Sequence, residues 1–236
     1  MAYTGRRDRP GQRLKNNPQT TEDAVMKNWT LALLTALLMA LALPLAAAEE
    51  YIEGAHYERI TPPMQSRAPA GQVEVLELFW YGCPHCFSLE PHLDAWLKEK
   101  PDHVTFTRVP AVLNPNWTTH AQAYYAAEAI GEVETIHGPM FQAIHVQRRR
   151  LGSPEQITRF VGSLGVDTQA YTRALNDPAI RARLQEAFEI GRASQSTGVP
   201  ALIVAGKYRV TASLAGGYPE MLDVVDYLVK QEAAPE

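Results

Sequence analysis

The sequence predicts an α/β protein, with one mixed central sheet flanked by helices and an all-helical block inserted between the two halves of the sheet. Three observations predict it. A strand–helix–strand unit opens the folded part of the chain, a strand hairpin followed by a helix closes it, and only helical patterns lie between. The 236 residues, 46% hydrophobic and 20% charged, suit one domain carrying a sizeable insertion. Such a chain can build its core without disulfide staples. Its only 2 cysteines therefore point to chemistry.

Residues 1–25 are polar and irregular, with Arg6, Arg7, Arg9 and Arg13 and no apolar period. They read as a mispredicted extension, with Met26 as the true start. Met26-Lys27 then opens a basic segment, Leu31 to Leu43 is apolar, and Ala46-Ala47-Ala48 offers small residues for cleavage. That is the layout of a secretory signal peptide over 26–48, and it points to export. Arg6-Arg7 stands too far from the apolar run to serve as a twin-arginine signal. An uncleaved anchor is the alternative, because the run to Ala48 reaches about 18 residues, the lower edge of a spanning helix. Pro44 and the alanines favour cleavage. Removing 1–48 takes away six basic and three acidic residues and turns the net charge of −4 into −7. That balance argues against nucleic acid as a partner.

Val73 to Trp80 is β-branched and aromatic and stops before Gly82, which predicts a buried strand. Pro84 fits the first turn of a helix, where its missing N–H costs nothing. Phe87, Leu89, Leu93 and Trp96-Leu97 recur at helical spacing up to Lys100-Pro101, and His103 to Val109 alternates as a second strand. Helices follow: Thr118 to Ile130, stopped by Gly131, and Glu132 to Val146, with Pro139 as a kink or break. Ser153-Pro154-Glu155 caps a third, ending near Gly165. Asp167 to Leu175 is short and amphipathic, and Pro178 opens a longer helix to about Ser194. Ala201 to Val204 and Tyr208 to Val210 read as a hairpin about Ala205-Gly206-Lys207. Gly216-Gly217-Tyr218-Pro219 leads into a final helix ending near Lys230. The sheet domain is assigned to 49–112 and 179–236, and the helical insertion to 113–178.

Cys83 and Cys86 admit three readings. As a structural bridge they would close only four residues, removing about 2 kcal/mol of unfolded-state entropy. A structural zinc needs four ligands, and there is no second cysteine pair; His85 is badly placed to chelate with both. Soft-metal capture by the dithiol stays open. Redox catalysis fits the setting of strand before, helix after and an oxidising compartment. At the start of a helix, Cys83 would meet orphan N–H groups and the positive dipole end, which stabilise a thiolate. Cys86 lies one turn deeper, on the same face and shielded. Pro84 and His85 between them form a tuning element, since an imidazole or imidazolium beside Cys83 favours its thiolate.

The run Glu77-Leu78-Phe79-Trp80-Tyr81-Gly82-Cys83-Pro84-His85-Cys86 closely resembles the active-site region of the DsbA family, periplasmic disulfide-forming proteins of the thioredoxin superfamily. The resemblance covers the whole chain after the leader, including the insertion and Gly198-Val199-Pro200-Ala201. It implies a thioredoxin-like fold. DsbA is itself a standard example of an acidic cysteine in a strong oxidant, so that property comes with the resemblance and not from these residues. It implies a cis bond at Pro200, which with Val199 would bind the substrate backbone, although a strand-start proline explains Pro200 as well. It also implies that Glu77 lies under the active site and relays protons as Cys86 ionises. Glu90 and Arg108, the latter where the family often has a lysine, read as solvated or paired charges. His56, His92, His103, His120, His137 and His145 show no ligand-like spacing and receive no role. Trp80 and Tyr81 read as core or as an apolar rim.

The resemblance implies a monomeric periplasmic oxidant that donates the Cys83–Cys86 disulfide to folding exported proteins. A DsbB-like quinone-linked membrane partner would reoxidise it. No metal, nucleotide or flavin is implied, the disulfide being the redox group. Isomerase or reductase activity is the alternative, but the stretch from Glu49 to Gln72 leaves no room for the dimerisation domain of isomerases. Val199 before the proline and Cys-Pro-His-Cys also favour the oxidase. A non-catalytic holdase or a metal-binding dithiol module belongs to a different class.

Overall fold

The computed structural model describes residues 51–233; the readings of 1–25 and 26–48 lie outside the described residues. Among the described residues no helix is long and apolar enough to cross a membrane.

The sheet is built around strand β2, Val73–Phe79, buried at every position. A strand covered on both faces needs a nearly continuous apolar run, and Val73, Val75, Leu76, Leu78 and Phe79 supply it. β2 pairs in parallel with β3, Val104–Pro110, and antiparallel with β4, Ala201–Val204. β4 turns back into β5, Tyr208–Val210, through Ala205 and Gly206, both at positive φ. Two such residues give a hairpin turn that matches the twist of its strands. Gly206 is required there, since a Cβ would lie 2.5 Å from the Met64 carbonyl oxygen. A two-residue strand that sequence patterning missed, β1, Glu58–Arg59, adds antiparallel to β5. Two residues are too few to show a period. The order is β1-β5-β4-β2-β3, the mixed sheet that the sequence predicts.

Each face of the sheet has its own cover. Successive strand residues point to opposite faces. Val73 and Val75 pack with Leu89, Leu93 and Trp96 of helix α1, Pro84–Glu99. Leu76 and Leu78 join the core shared with the helical insertion. The insertion comprises α2, Thr118–Ala129; α3, Val133–His145; α4, Pro154–Ser163; and α5, Thr168–Leu175. The longer helix α6, Pro178–Ala193, leads back to the sheet. α3 continues through Pro139, where the sequence allowed a break. Ser153 and Gln156 form a capping box at the start of α4. After β5, a single turn that patterning also missed, α7, Ala212–Ala215, precedes α8, Tyr218–Ala233. α8 packs beside α1, and Trp96 Nε1 donates to Asp226 Oδ1 at 2.8 Å.

Candidate active site

The chain leaves β2 at Phe79, turns through Trp80-Tyr81-Gly82 and enters α1. The Cys83 N–H donates to the Trp80 carbonyl at 2.9 Å. Gly82 has to lack a side chain, because a Cβ would come within 2.2 Å of the Trp80 ring. Tyr81 is core, 1% exposed, whereas half-buried Trp80 stacks on Trp117 of the insertion at 4.6 Å. The two residues thus divide the alternatives left open by the sequence.

Cys83 is the N-cap of α1, with extended backbone, and Pro84 is its first helical residue. The second and third helical N–H groups, of His85 and Cys86, therefore point towards the Cys83 sulfur. No strict capping hydrogen bond forms, yet these dipoles favour the thiolate. The Cys83 thiol is held down at about 6, against an ordinary 9.0. The largest cause is a hydrogen bond from the Cys86 thiol; the two backbone N–H groups and the His85 charge add to it, and burial opposes them. Cys86 is driven the opposite way, upward, first by burial and then by Cys83 itself. Both are free thiols. Cys86 is fully buried, and Cys83 is itself only 7% exposed. The Val199 segment covers it, and Cys83 Sγ donates to the Val199 carbonyl oxygen at 3.3 Å.

That segment reaches Cys83 from the start of β4, more than a hundred residues along the chain. The Val199–Pro200 bond is cis, as the resemblance implied; Thr61–Pro62 is also cis, which nothing in the sequence suggested. Beside the cysteines runs a groove of about 720 Å³ lined by His85, Val199, Pro200, Arg209, Leu214 and Tyr218, among others. The exposed ring of His85 is held at its edge, with Nδ1 3.1 Å from the Tyr218 hydroxyl.

Behind the cysteines the surroundings are charged and closed. Glu77 is 0% exposed and stands opposite Arg108 in the parallel β2–β3 register. Arg108 Nε lies 3.1 Å from Glu77 Oε2, and its Nη2 lies 3.5 Å from Glu90 Oε2 and 3.7 Å from Asp94 Oδ1. Cys86, Glu90 and Asp94 follow at i, i+4 and i+8 of α1, on one helix face. Burial, reinforced by the Glu90 charge and opposed by Arg108, pushes Glu77 up to about 8 from an ordinary 4.5. Glu90 and Arg108 are thus paired charges.

Cys83, Pro84, His85, Cys86, Val199 and Pro200 meet at one end of α1, with Glu77 behind them. Sequence reasoning missed three residues. Tyr218 meets His85 through the fold alone. His137 and His145, eight residues apart on α3, both reach Tyr81: His137 Nδ1 lies 2.9 Å from the Tyr81 hydroxyl, and His145 Nε2 lies 2.8 Å from its carbonyl oxygen. A spacing of eight places both on one helix face, the one signal available, and spacing chosen for metal ligands does not look for it. Among the described residues no group of three or more His, Cys, Asp or Glu side chains is placed to hold a metal ion.

One acidic thiol beside a groove, and a second that keeps its proton within bonding reach, are the equipment of a thiol–disulfide oxidoreductase on a thioredoxin-like sheet. A family profile described as a DSBA-like thioredoxin domain matches residues 74–220. The chain is 38% identical over 204 residues to a thiol:disulfide interchange protein DsbA of Pseudomonas aeruginosa, covering 86% of this chain and 96% of that protein. A crystal structure of Pseudomonas aeruginosa DsbA superposes with a TM-score of 0.75 at 37% identity, covering 78% of this chain and 96% of that one. An oxidoreductase DsbA from Xylella fastidiosa superposes with a TM-score of 0.72 at 33% identity, covering 78% and 99%. The chain belongs to the DSBA-like thioredoxin family, and it is a protein disulfide oxidoreductase.

Proposed function

We propose that the protein oxidises newly exported proteins in the periplasm by donating a Cys83–Cys86 disulfide, and that Cys83 is the residue substrates attack. A substrate thiolate bonds to Cys83 Sγ, the Cys83–Cys86 bond breaks, and Cys86 leaves with the electron pair and takes a proton. A second substrate thiolate then attacks the substrate sulfur of the mixed disulfide and expels Cys83 as a thiolate. The substrate is oxidised by two electrons and the dithiol is reduced. The dithiol itself serves as the redox group, with no metal, nucleotide or flavin. Reoxidation falls to a DsbB-like quinone-linked membrane partner, in keeping with the family, and the protein acts as a monomer.

The observation that carries this reading is the opposed acidity of the two thiols. An acidic Cys83 is a good leaving group, and a stabilised thiolate favours the reduced enzyme, which makes the disulfide the stronger oxidant. With a value of about 6, Cys83 lies roughly one unit below neutral pH, worth about 1.4 kcal/mol, or about 30 mV for the two-electron couple. Pro84 starts the helix whose N–H groups favour the thiolate, His85 adds charge beside it, and the Val199–Pro200 segment offers backbone to an extended substrate. Glu77, pushed up to about 8, can give or take a proton near neutral pH, which Cys86 needs.

The test is equilibration of the dithiol with glutathione alongside oxidation of a reduced dithiol peptide. The expected result is rapid peptide oxidation and a potential well above the roughly −270 mV of thioredoxin. A potential close to thioredoxin's makes the protein a reductant and overturns the reading.

A further inference from the structure

Among the described residues, three buried polar atoms beneath the cysteines have no hydrogen-bond partner: Glu77 Oε1, Glu90 Oε1 and His137 Nε2. Their residues are 0%, 8% and 6% exposed. Unpartnered polar atoms in a native core are few, and a redox or catalytic role is one of the reasons they persist. Here they belong to one connected group. His137 Nε2 lies 3.2 Å from Glu90 Oε2, off the line of a hydrogen bond. Glu90 meets Arg108, which meets Glu77. Two buried carboxylates share one guanidinium, so the cluster carries an excess negative charge unless it holds a proton. His137 brings it a second basic group, from the helical insertion.

The surroundings of the ring confine the exchange. Phe79, Tyr81, Tyr124 and Phe141 enclose it. The titratable or charged groups facing it are Tyr81 from the turn after β2, Tyr124 from α2 and Glu90 from α1, with Arg108 of β3 and Glu77 of β2 behind Glu90 and exposed Asp94 at the rim. Burial holds both phenols above their ordinary range, so they keep their protons. Glu77, Glu90 and His137 remain.

We propose that His137 is a proton-holding positioning residue for the exchange at Cys83 and Cys86, sharing one exchangeable proton with Glu77 and Glu90 across Arg108. This rests on the oxidant reading above. When a substrate sulfur bonds to Cys83, the Cys83–Cys86 bond breaks and Cys86 leaves with the electron pair. The cluster gives Cys86 one proton and recovers one of the two that the substrate thiols release; the other is divided between solvent and the cluster, whose hold on protons the new Cys83 thiolate strengthens. The Tyr81 hydroxyl can donate to neutral His137 or accept from the imidazolium, so the ring keeps its place in both states.

The test uses nitrogen-15 spectra of the histidine rings, which separate neutral tautomers from imidazolium. At pH 7 the His137 resonances should move towards imidazolium when the protein is reduced, since the new Cys83 thiolate raises the cluster's hold on its proton. His137→Gln keeps polar contacts but cannot titrate. It should take up fewer protons on reduction near neutral pH and slow peptide oxidation by at most about tenfold, short of the 10²–10⁴ of a direct proton donor. Identical His137 spectra in the oxidised and reduced proteins overturn the proposal, and they do so even if the variant fails to fold. So does an unchanged proton uptake in His137→Gln. If the wild-type protein oxidises no peptide at all, the oxidant reading fails instead.

Discussion

The two sides of the first turn of α1 are built to opposite ends. On the groove side Cys83 meets the Cys86 thiol, helix N–H groups and the His85 charge, and its thiolate is favoured. On the inner side Cys86 meets apolar core, with Glu77 behind it, and its thiolate is disfavoured. The two sulfurs are three residues apart and differ little in sequence context. What separates them is where each sits on the helix: one caps it, the other lies inside its first turn. A dithiol becomes directional because its two ends are solvated differently.

The most severe way to break this asymmetry is to remove a sulfur. Cys83→Ala is expected to abolish peptide oxidation altogether. Cys86→Ala, first converted by glutathione disulfide to the Cys83–glutathione mixed disulfide, should instead accumulate mixed disulfides with substrate as substrate thiolates displace glutathione at Cys83, visible as thiol-sensitive bands on a non-reducing gel. If mixed disulfides form through Cys86 in the Cys83→Ala protein, the assignment of the two roles is reversed.

Next in size is the buried guanidinium on the inner side. Arg108→Met leaves Glu77 and Glu90 facing each other without a counter-charge. Removing one partner of a buried pair costs about 3–5 kcal/mol, readable as a lower urea midpoint at pH 7. The cost should shrink in acid, where the carboxylates gain protons. A loss below about 1 kcal/mol would mean that water reaches the cluster and screens it.

A smaller effect isolates Glu77. Its folded carboxyl binds a proton more tightly than the unfolded one, 8 against 4.5. Its favourable contribution is therefore fully present below about 4.5 and is lost as the pH rises through about 8. Glu77→Gln should flatten the decline in stability across that window. A wild-type curve that rises instead would show that the Arg108 pairing outweighs burial.

The smallest change probes the groove side. Tyr218→Phe removes one hydrogen bond to the exposed His85, worth about 0.5–1.5 kcal/mol. The glutathione equilibrium should move by at most about tenfold, or about 30 mV, towards a weaker oxidant. No movement would mean that His85 acts from any rotamer.

Much of this was legible in the sequence, for local reasons. A strand ending at Gly82 and a proline just after Cys83 announce the helix start, whose N–H groups add to the acidity that the Cys86 thiol gives Cys83. The hairpin around Gly206 was legible because its turn residues are specific. The rest depended on contacts across long stretches of chain. Glu77 looks like an ordinary strand carboxylate until the β2–β3 register sets Arg108 opposite it. Tyr218 has no local pattern that marks it, and His137 has only its spacing of eight from His145. β1 and α7 are too short for any period to emerge.

The distance along the chain between Cys83 and Val199 has a consequence for timing. Before β4 pairs with β2, the contact of Cys83 with the Val199 carbonyl does not exist and the cysteines are open to water. Pairings across so long a loop form late, because the closure entropy comes before any reward. Until those last strands close the sheet, the chain holds the cysteine turn of α1 without the Val199–Pro200 wall of its groove.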